Sequence, residues 1–286
     1  MSDVNVYEHE IPNGSKLYFA KSAKLKRKIE QKASEILEDE GFSEIVTPFF
    51  SYHQHLSVDA TNLLRFSDSL NHEISLRADS TVDTVRIVLR RLKANEPKRW
   101  FYIQPVFRYP SQEIYQIGAE LIGENDILKS INIVAKLFSE LEIGACLQLS
   151  NMQIPRIICE ILNLEIEIFE NSWLEKILAQ NVPWLSKLSL LKDANELDEI
   201  VNLVPDKLKE ALKNLQNVAK SLEYKNLRIV PLYYSKMRYY DSLFFRFLKD
   251  NAILASGGNY EIDDISSSGF AVYTDALIEE KINLRK

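Results

Sequence analysis

The chain has 286 residues, of which 46% are hydrophobic and 27% charged, as is typical of a globular protein with one large core or a core plus a smaller domain. Its formal net charge of -6 disfavours broad binding to nucleic-acid phosphates. No apolar stretch reaches the length of a membrane span, and the first residues lack a signal-peptide pattern, which favours a cytoplasmic protein. Cys146 and Cys159 stand apart in apolar contexts, so we expect reduced thiols.

The first half of the chain predicts helices and strands in alternation. Apolar residues recur at helical spacing over residues 17–40, and Gly41 marks the end of that helix. Residues 44–50 are typical of a strand that Pro48 confines to a sheet edge. The elements predicted next are a strand at 73–76, a helix over 79–92, a hairpin over 100–123, a helix over 124–141 and a strand at 144–149.

The central hairpin carries the polar residues that first indicate a site. Arg108 stands at the end of its first strand, while Gln116 and Glu120 lie four residues apart on the second strand and therefore on one face. Polar side chains at inward positions of an apolar hairpin cost free energy unless they meet a partner. An arginine opposite an amide and a carboxylate suits a zwitterion such as a free amino acid. A structural polar network is the alternative, and we favour the ligand site.

The character of the sequence changes after residue 150. Residues 151–224 predict only helices, and we interpret them as a helical insertion domain within a core domain made of 1–150 and 225–286. The elements predicted after the insertion are strands at 227–234, 241–247, 252–256 and 268–273, a tight turn at Gly257-Gly258 and a helix from 274. Because the strands are mostly neighbours in sequence, we expect an α+β fold with helices on an antiparallel sheet.

Several segments resemble the class II aminoacyl-tRNA synthetases. Residues 41–48, GFSEIVTP, look like motif 1, which these enzymes use for dimerisation, and Phe107-Arg108 looks like motif 2. Residues 269–272, GFAV, look like the start of motif 3. Residues 76–81, LRADST, and 115–120, YQIGAE, are most similar to histidyl-tRNA synthetase. The segments stand in the family's order, and the resemblance implies a class II synthetase-like sheet flanked by helices.

The resemblance also implies a histidine-binding site. In histidyl-tRNA synthetases the residues at the Asp79, Thr81 and Gln116 positions receive the ammonium group, and Asp79 replaces the usual glutamate. Those at Glu120 and Tyr240 contact the imidazole, and the motif 2 arginine meets the carboxylate. The implied ligand-binding residues are therefore Asp79, Thr81, Arg108, Gln116, Glu120 and Tyr240.

The cations that amino-acid activation requires depart from the family's pattern. Attack on the α-phosphate of ATP builds negative charge that fixed cations must stabilise. The arginine expected in motif 3 is Ala276, and the catalytic arginine expected before the tyrosine pair is Ser235. Lys236 and Arg238 lie nearby as candidates to replace them. The sequence after motif 3 is short, up to Lys286, so we expect no anticodon-binding domain of the synthetase kind.

A chain that keeps the histidine pocket and lacks these cations resembles the regulatory subunits of ATP phosphoribosyltransferase, which are paralogues of histidyl-tRNA synthetase. The resemblance implies a cytoplasmic homodimer within a hetero-oligomer, where this subunit activates the short-form catalytic subunit and contributes to feedback sensing of L-histidine. It implies dimer contacts at Gly41, Phe42 and Pro48. It implies no catalytic residue, no cofactor and no metal site. It also implies neither binding to tRNA nor attachment to a membrane.

Two alternative functions remain open. One is an active, truncated class II enzyme that adenylates an amino acid, with Lys236 or Arg238 in place of the missing arginines. The other is a scaffold whose histidine pocket is vestigial and which acts only by assembly. The two are separable, because only the first catalyses exchange between ATP and pyrophosphate.

Two further signals are assigned to structure rather than to chemistry. His53 and His55 flank Gln54 without a third ligand nearby, so we expect a surface loop and not a metal site. The aromatic residues around Tyr240, including Tyr239, are expected to belong to the core.

Overall fold

A large sheet organises residues 10–92 and 98–283, the ranges that our computed structural model describes. The strands in chain order are β1 (Ser43–Glu44), β2 (Phe50–Ser51), β3 (Arg65–Ser67), β4 (Glu73–Leu76), β5 (Arg99–Arg108), β6 (Gln112–Leu121), β7 (Cys146–Asn151), β8 (Leu227–Ile229), β9 (Tyr240–Lys249), β10 (Ala252–Ile262) and β11 (Ile265–Tyr273). The helices are α1 (Ala20–Asp39), α2 (Thr81–Ile87), α3 (Ile127–Glu140), α4 (Gln153–Leu162), α5 (Glu167–Glu170), α6 (Leu174–Leu178), α7 (Pro183–Leu190), α8 (Leu197–Ile200), α9 (Asp206–Ser221) and α10 (Thr274–Asn283). None of the described helices combines the length and the apolar character that crossing a bilayer requires.

The large sheet is mixed at its edges. Its strand order is β1-β5-β6-β11-β10-β9-β7-β8, while β2, β4 and β3 form a small antiparallel sheet. The strands from β5 to β7 pair antiparallel, as predicted, but β1 pairs parallel with β5 and β8 pairs parallel with β7. A parallel pair needs a long crossover connection. The small sheet with α2 supplies one crossover and the helical segment after β7 supplies the other, so the predicted α+β class is confirmed and its uniformly antiparallel sheet is not.

The two faces of this sheet carry different groups. One face packs on α1, α3 and α10 and contributes Ile117 and Phe270 to the main hydrophobic core. The other face packs on α2, and Val82 and Tyr260 belong to a second cluster there. Because side chains alternate along a strand, Glu120 on β6 lies on the α2 side, three positions from Ile117. The α2 side is therefore where the predicted site has to be assembled.

Gly257 and Gly258 lie inside β10, so the turn predicted for this pair was wrong. A Cβ atom at Gly257 would overlap the backbone oxygen of Gly269, and one at Gly258 would overlap that of Leu243. Glycine in a strand can mark a close approach of neighbouring backbone as well as a turn. The requirement for glycine here arises from neighbouring strands, which a local sequence pattern does not reveal.

The segment around Pro48 connects two sheets. The single strand predicted at 44–50 is instead two short strands, β1 in the large sheet and β2 in the small one, with Pro48 exposed between them. Gly41 follows α1 with a φ of 81°, which favours glycine. Phe42 is only 4% exposed and packs in the chain's own core. The homodimer stays a prediction, and the buried Phe42 side chain offers little surface to a second copy.

Every element described between residues 153 and 221 is helical, as the sequence predicted. In this segment α4 packs on α9, and α9 also packs on β7. One continuous hydrophobic cluster includes Leu212 of α9 together with Leu149 and Phe247 of the sheet. The division into a core domain and an insertion domain stays a prediction. The two parts share this hydrophobic cluster and are not separated by a boundary in the core.

Candidate ligand-binding site

Four of the six predicted ligand-binding residues meet between α2 and the sheet. Asp79 and Thr81 stand at the start of α2, Glu120 lies near the end of β6, and Tyr240 is the first residue of β9. Their exposed fractions are 6%, 7%, 0% and 6%. The Asp79 carboxylate accepts a hydrogen bond of 3.1 Å from the backbone N–H of Thr81, a side-chain-to-backbone turn that leads into the helix. We call this group, with the tyrosines that bond to it, the Asp79–Glu120 cluster.

Glu120 is held by hydroxyl groups of its own chain. The Tyr260 hydroxyl donates to Oε2 at 2.6 Å, and the Tyr102 hydroxyl donates to Oε1 at 3.2 Å. Burial raises the pKa of Glu120 to about 8, against the lowering effect of these hydrogen bonds. The carboxyl group is therefore mostly protonated at pH 7, and both of its oxygen atoms already have partners.

Asp79 is likewise bonded inside the cluster. The Tyr239 hydroxyl donates to Asp79 Oδ2 at 3.2 Å and lies 3.5 Å from Thr81 Oγ1. Burial raises the pKa of Asp79, and the charge of Arg108 opposes this shift. Arg108 itself donates from Nε to the backbone oxygen of Ala78 at 3.3 Å, so its guanidinium group stands beside the start of α2.

Gln116 is not joined to these residues. It is 4% exposed, and its amide makes no hydrogen bond with any residue in the described ranges. Its partners across the sheet are Gln104 on β5 and Tyr273 on β11. Its amide atoms are not among the fully buried atoms that lack a partner, so solvent reaches them and they are free to bind a ligand on the α2 side.

Three tyrosines of the cluster were missed by the sequence reasoning. Tyr239 was predicted to be core, and its ring does pack against the second hydrophobic cluster, while its hydroxyl also bonds to Asp79. The ring of Tyr102 lies over Gly118, where a Cβ atom would overlap it. Alternation along β5 from Trp100 could have placed Tyr102 on the site face.

The arginines absent from the sequence are not replaced by Lys236 or Arg238. Lys236 Nζ donates to Asn171 Oδ1 at 3.2 Å, in the helical segment. Arg238 forms an ion pair with Asp59 at 3.0 Å, and about half of its side chain is exposed. Neither cation contacts the Asp79–Glu120 cluster, so neither supplies the positive charge that amino-acid activation would need there.

One further arginine lies on the α2 side of the sheet. Arg246 on β9 is in register with Gln148 on β7, and its Nε donates to Gln148 Oε1 at 2.8 Å. Its guanidinium carbon stands 3.8 Å from the centre of the Tyr233 ring, and burial lowers its pKa. It has no ion pair with a described residue. Only its position in the alternation of β9 could have drawn attention to it.

His53 and His55 lie in the segment that follows β2. The rings of His53 and His55 are 6.4 Å apart, and burial, followed by the charge of Arg86, lowers the pKa of His53. Within residues 10–92 and 98–283 there is no group of three or more potential metal ligands. Cys146 and Cys159 are free thiols.

Comparison with known proteins identifies the family. The family model described as histidyl-tRNA synthetase matches residues 18–277. The ATP phosphoribosyltransferase regulatory subunit of Wolinella succinogenes is 47% identical over 279 residues, which cover 97% of each chain. The chain belongs to this regulatory-subunit family. A second member, from Helicobacter hepaticus, is 39% identical and is matched over 96% of the present chain and 98% of its own length.

Solved structures confirm the fold of this family member. An ATP phosphoribosyltransferase regulatory subunit/histidyl-tRNA synthetase from Bacillus halodurans superposes with a TM-score of 0.85 at 20% identity, covering 96% of this chain and 83% of that one. A histidine–tRNA ligase subunit from Alicyclobacillus acidocaldarius gives a TM-score of 0.82 at 17% identity, with 97% and 98% covered. The class II synthetase-like fold predicted from the sequence is therefore confirmed.

Proposed function

We propose that the chain is a non-catalytic regulatory subunit of ATP phosphoribosyltransferase that acts in L-histidine biosynthesis. The observation that carries this proposal is its 47% identity, over nearly its full length, to a regulatory subunit of that name. The subunit binds the short-form catalytic subunit in a cytoplasmic hetero-oligomer, switches on its glycosyltransferase activity, and needs neither a cofactor nor tRNA.

The geometry favours this function over the adenylating enzyme. Adenylation requires cations fixed over the α-phosphate of ATP, and removing one charge-stabilising donor costs a factor of roughly 100 to 1,000 in rate. Instead, Lys236 donates a hydrogen bond to Asn171, and Arg238 forms an ion pair with Asp59. Both candidates that could have rescued the activity are therefore bound elsewhere.

We propose histidine as an effector that binds in the Asp79–Glu120 cluster. Arg108 and the free amide of Gln116 suit its carboxylate and its ammonium group, respectively. The Tyr239 hydroxyl occupies Asp79 Oδ2, so an incoming ammonium group has to displace it. Such a displacement is a route to regulation, because histidine changes the complex only if its affinity differs between the assembly states.

The function is tested by mixing the purified chain with a short-form catalytic subunit. We expect co-purification and an increased rate of phosphoribosyl transfer. We expect the chain alone to show no histidine-dependent exchange between ATP and pyrophosphate. Robust exchange, or a catalytic subunit whose rate does not respond, would contradict the proposal.

The effector role has a separate test by calorimetry on the assembled complex. Histidine is titrated into complexes made with the wild-type chain, with Gln116→Ala and with Glu261→Gln, a control at an exposed position near the end of β10. We expect Gln116→Ala to weaken binding about tenfold, since a hydrogen bond to a charged group is lost. Absence of heat with the wild type would instead favour a scaffold with a vestigial pocket.

A further inference from the structure

A separate cleft lies between the segment around β2 and the C-terminal part of α2. Its volume is about 320 Å³, within the range of small-molecule sites. Its lining includes the aromatic residues Phe50 and Tyr52 and the arginines Arg86, Arg90 and Arg91. Its lining also includes Pro48, a predicted dimer contact, and none of its lining residues belongs to the Asp79–Glu120 cluster.

The arginines are carried by an irregular end of α2. After Ile87 the helix continues as a π-helical turn, Val88–Leu92, a local geometry that is frequent at functional sites. Arg86 and Arg90, four residues apart, both pair with Asp263, at 3.0 and 2.8 Å. Arg91 is exposed and has no ion pair with any residue that the structure describes.

These arginines have more donors than the protein uses. A guanidinium group offers five N–H donors, and the two oxygens of Asp263 accept from only part of those on Arg86 and Arg90. Arg86 Nε is buried and has no hydrogen-bond partner. An unpaired buried donor costs free energy, so an anion that enters the cleft and draws the guanidinium group toward it removes that cost.

The other titratable groups of the lining leave it positively charged. Asp83 accepts hydrogen bonds from Ser51 Oγ at 2.8 Å and Gln54 Nε2 at 2.7 Å, and burial raises its pKa. His53 tends to be neutral, because burial and then the charge of Arg86 lower its pKa. Asp263, just outside the lining, pairs with Arg86 and Arg90, and the unpaired Arg91 supplies the positive excess. This excess is local, since the whole chain carries a net charge of -6.

We propose that the cleft binds a small organic phosphate of the nucleoside monophosphate class. The phosphate lies on Arg86 and Arg91, whose planar forks match phosphate oxygens in pairs. The flat base lies against Phe50 and Tyr52, whose side chains are 57% and 55% exposed. This site goes beyond the proposed function and shares no lining residue with the histidine site.

The test is calorimetry of AMP and, separately, inorganic phosphate with the full-length chain. We expect AMP to bind more tightly than phosphate. Arg91→Gln weakens both about tenfold, since one charge-assisted contact is lost, while Tyr52→Ala weakens AMP alone. Arg228→Gln is the matched control, because Arg228 is also exposed but lies on β8 at the edge of the large sheet opposite β1. Thermal unfolding verifies that each variant is folded.

Several results would overturn this site. The first is a wild-type chain that releases no heat with millimolar AMP, and the second is an Arg91→Gln variant that binds AMP as the wild type does. The third is an Arg91→Gln variant that changes only its oligomeric state, which would assign the arginines to a contact with a second copy. None of these results bears on activation of the catalytic subunit, so the proposed function is judged separately.

Discussion

Among single residues of the site, Glu120 departs clearly from the ordinary behaviour of a glutamate. Its side chain is fully buried, and its two oxygens accept hydrogen bonds from Tyr102 and Tyr260. Those bonds favour the charged form, yet removal from water outweighs them and raises the pKa to about 8. A neutral carboxyl group among tyrosines is compatible with an imidazole ligand, to which it can donate a proton in a hydrogen bond.

The raised pKa predicts how stability depends on pH. In the unfolded chain Glu120 ionises near 4.5, whereas in the folded chain it ionises near 8, so the folded state binds its proton more tightly. Its contribution to the free energy of unfolding is complete below pH 4.5 and is lost as the pH rises through 8. At about 1.4 kcal/mol per pKa unit, the loss amounts to a few kcal/mol. Urea unfolding at several pH values measures it.

Glu120→Gln provides the comparison for that measurement. The amide cannot ionise, so the difference in unfolding free energy between the wild type and Glu120→Gln should shift against the wild type as the pH rises from 4.5 to 8. Glu261→Gln, at an exposed position next to Tyr260 near the end of β10, should follow the wild-type curve. Parallel curves for the wild type and Glu120→Gln would show that Glu120 titrates normally.

For single residues, the sequence predicts which face a side chain occupies where the residue lies in a regular strand. The alternation of side chains along β6 is sufficient to predict that Gln116 and Glu120 share one face. Tyr239 could not be placed in the same way, because an irregular segment before β9 brings it to Asp79. Likewise, the fully buried Arg77 is bonded mainly to backbone oxygens distant in sequence, and no local pattern announces such partners.

Among the elements, β11 makes room for the Glu120 side chain because it has a glycine, Gly269, at the position opposite it. Gly269 pairs with Glu120 across the sheet, and a Cβ atom there would overlap Glu120 Oε2 and stand 2.8 Å from the backbone oxygen of Ala119. Gly269→Ala should therefore destabilise the fold by about 1–3 kcal/mol, as overpacking does, and displace the carboxyl group. Urea unfolding measures the first effect, and the pH dependence described for Glu120 measures the second.

Gly144→Ala is the matched control for that substitution. A Cβ atom at Gly144 would have no heavy atom within 4 Å, and the residue is exposed. We expect a change within about 0.5 kcal/mol for such a surface position. Equal effects of the two substitutions would mean that the close approach of Gly269 to Glu120 does not constrain the sheet.

The elements themselves are predicted well where periodicity is long and poorly where tertiary contacts decide. Helical spacing over residues 17–40 and 124–141 predicts α1 and α3 to within a few residues. The segment at 44–50 predicts one strand, because a sequence does not show that β1 and β2 belong to different sheets. The parallel edges are missed for the same reason, since they depend on which strands the crossovers bring together.

For the whole molecule, the shared hydrophobic cluster bears on how the chain unfolds. The helical segment at 153–221 contributes Leu212, which lies in one cluster with Leu149 and Phe247 of the sheet. Elements that share a core lose their contacts together, so unfolding should be a single cooperative transition. A segment with its own separate core would instead unfold independently.

Tryptophan fluorescence separates these two outcomes, because Trp100 lies in β5 and Trp184 in α7. Two variants, each keeping one of them as the sole tryptophan, should give coincident urea transitions. Leu212→Ala should lower both midpoints together, by about 2–5 kcal/mol of unfolding free energy, whereas Leu190→Ala, at a side chain 72% exposed, should lower neither. If Leu212→Ala moves only the Trp184 transition, residues 151–224 form an independent domain, because the helices would then melt while the sheet stays folded.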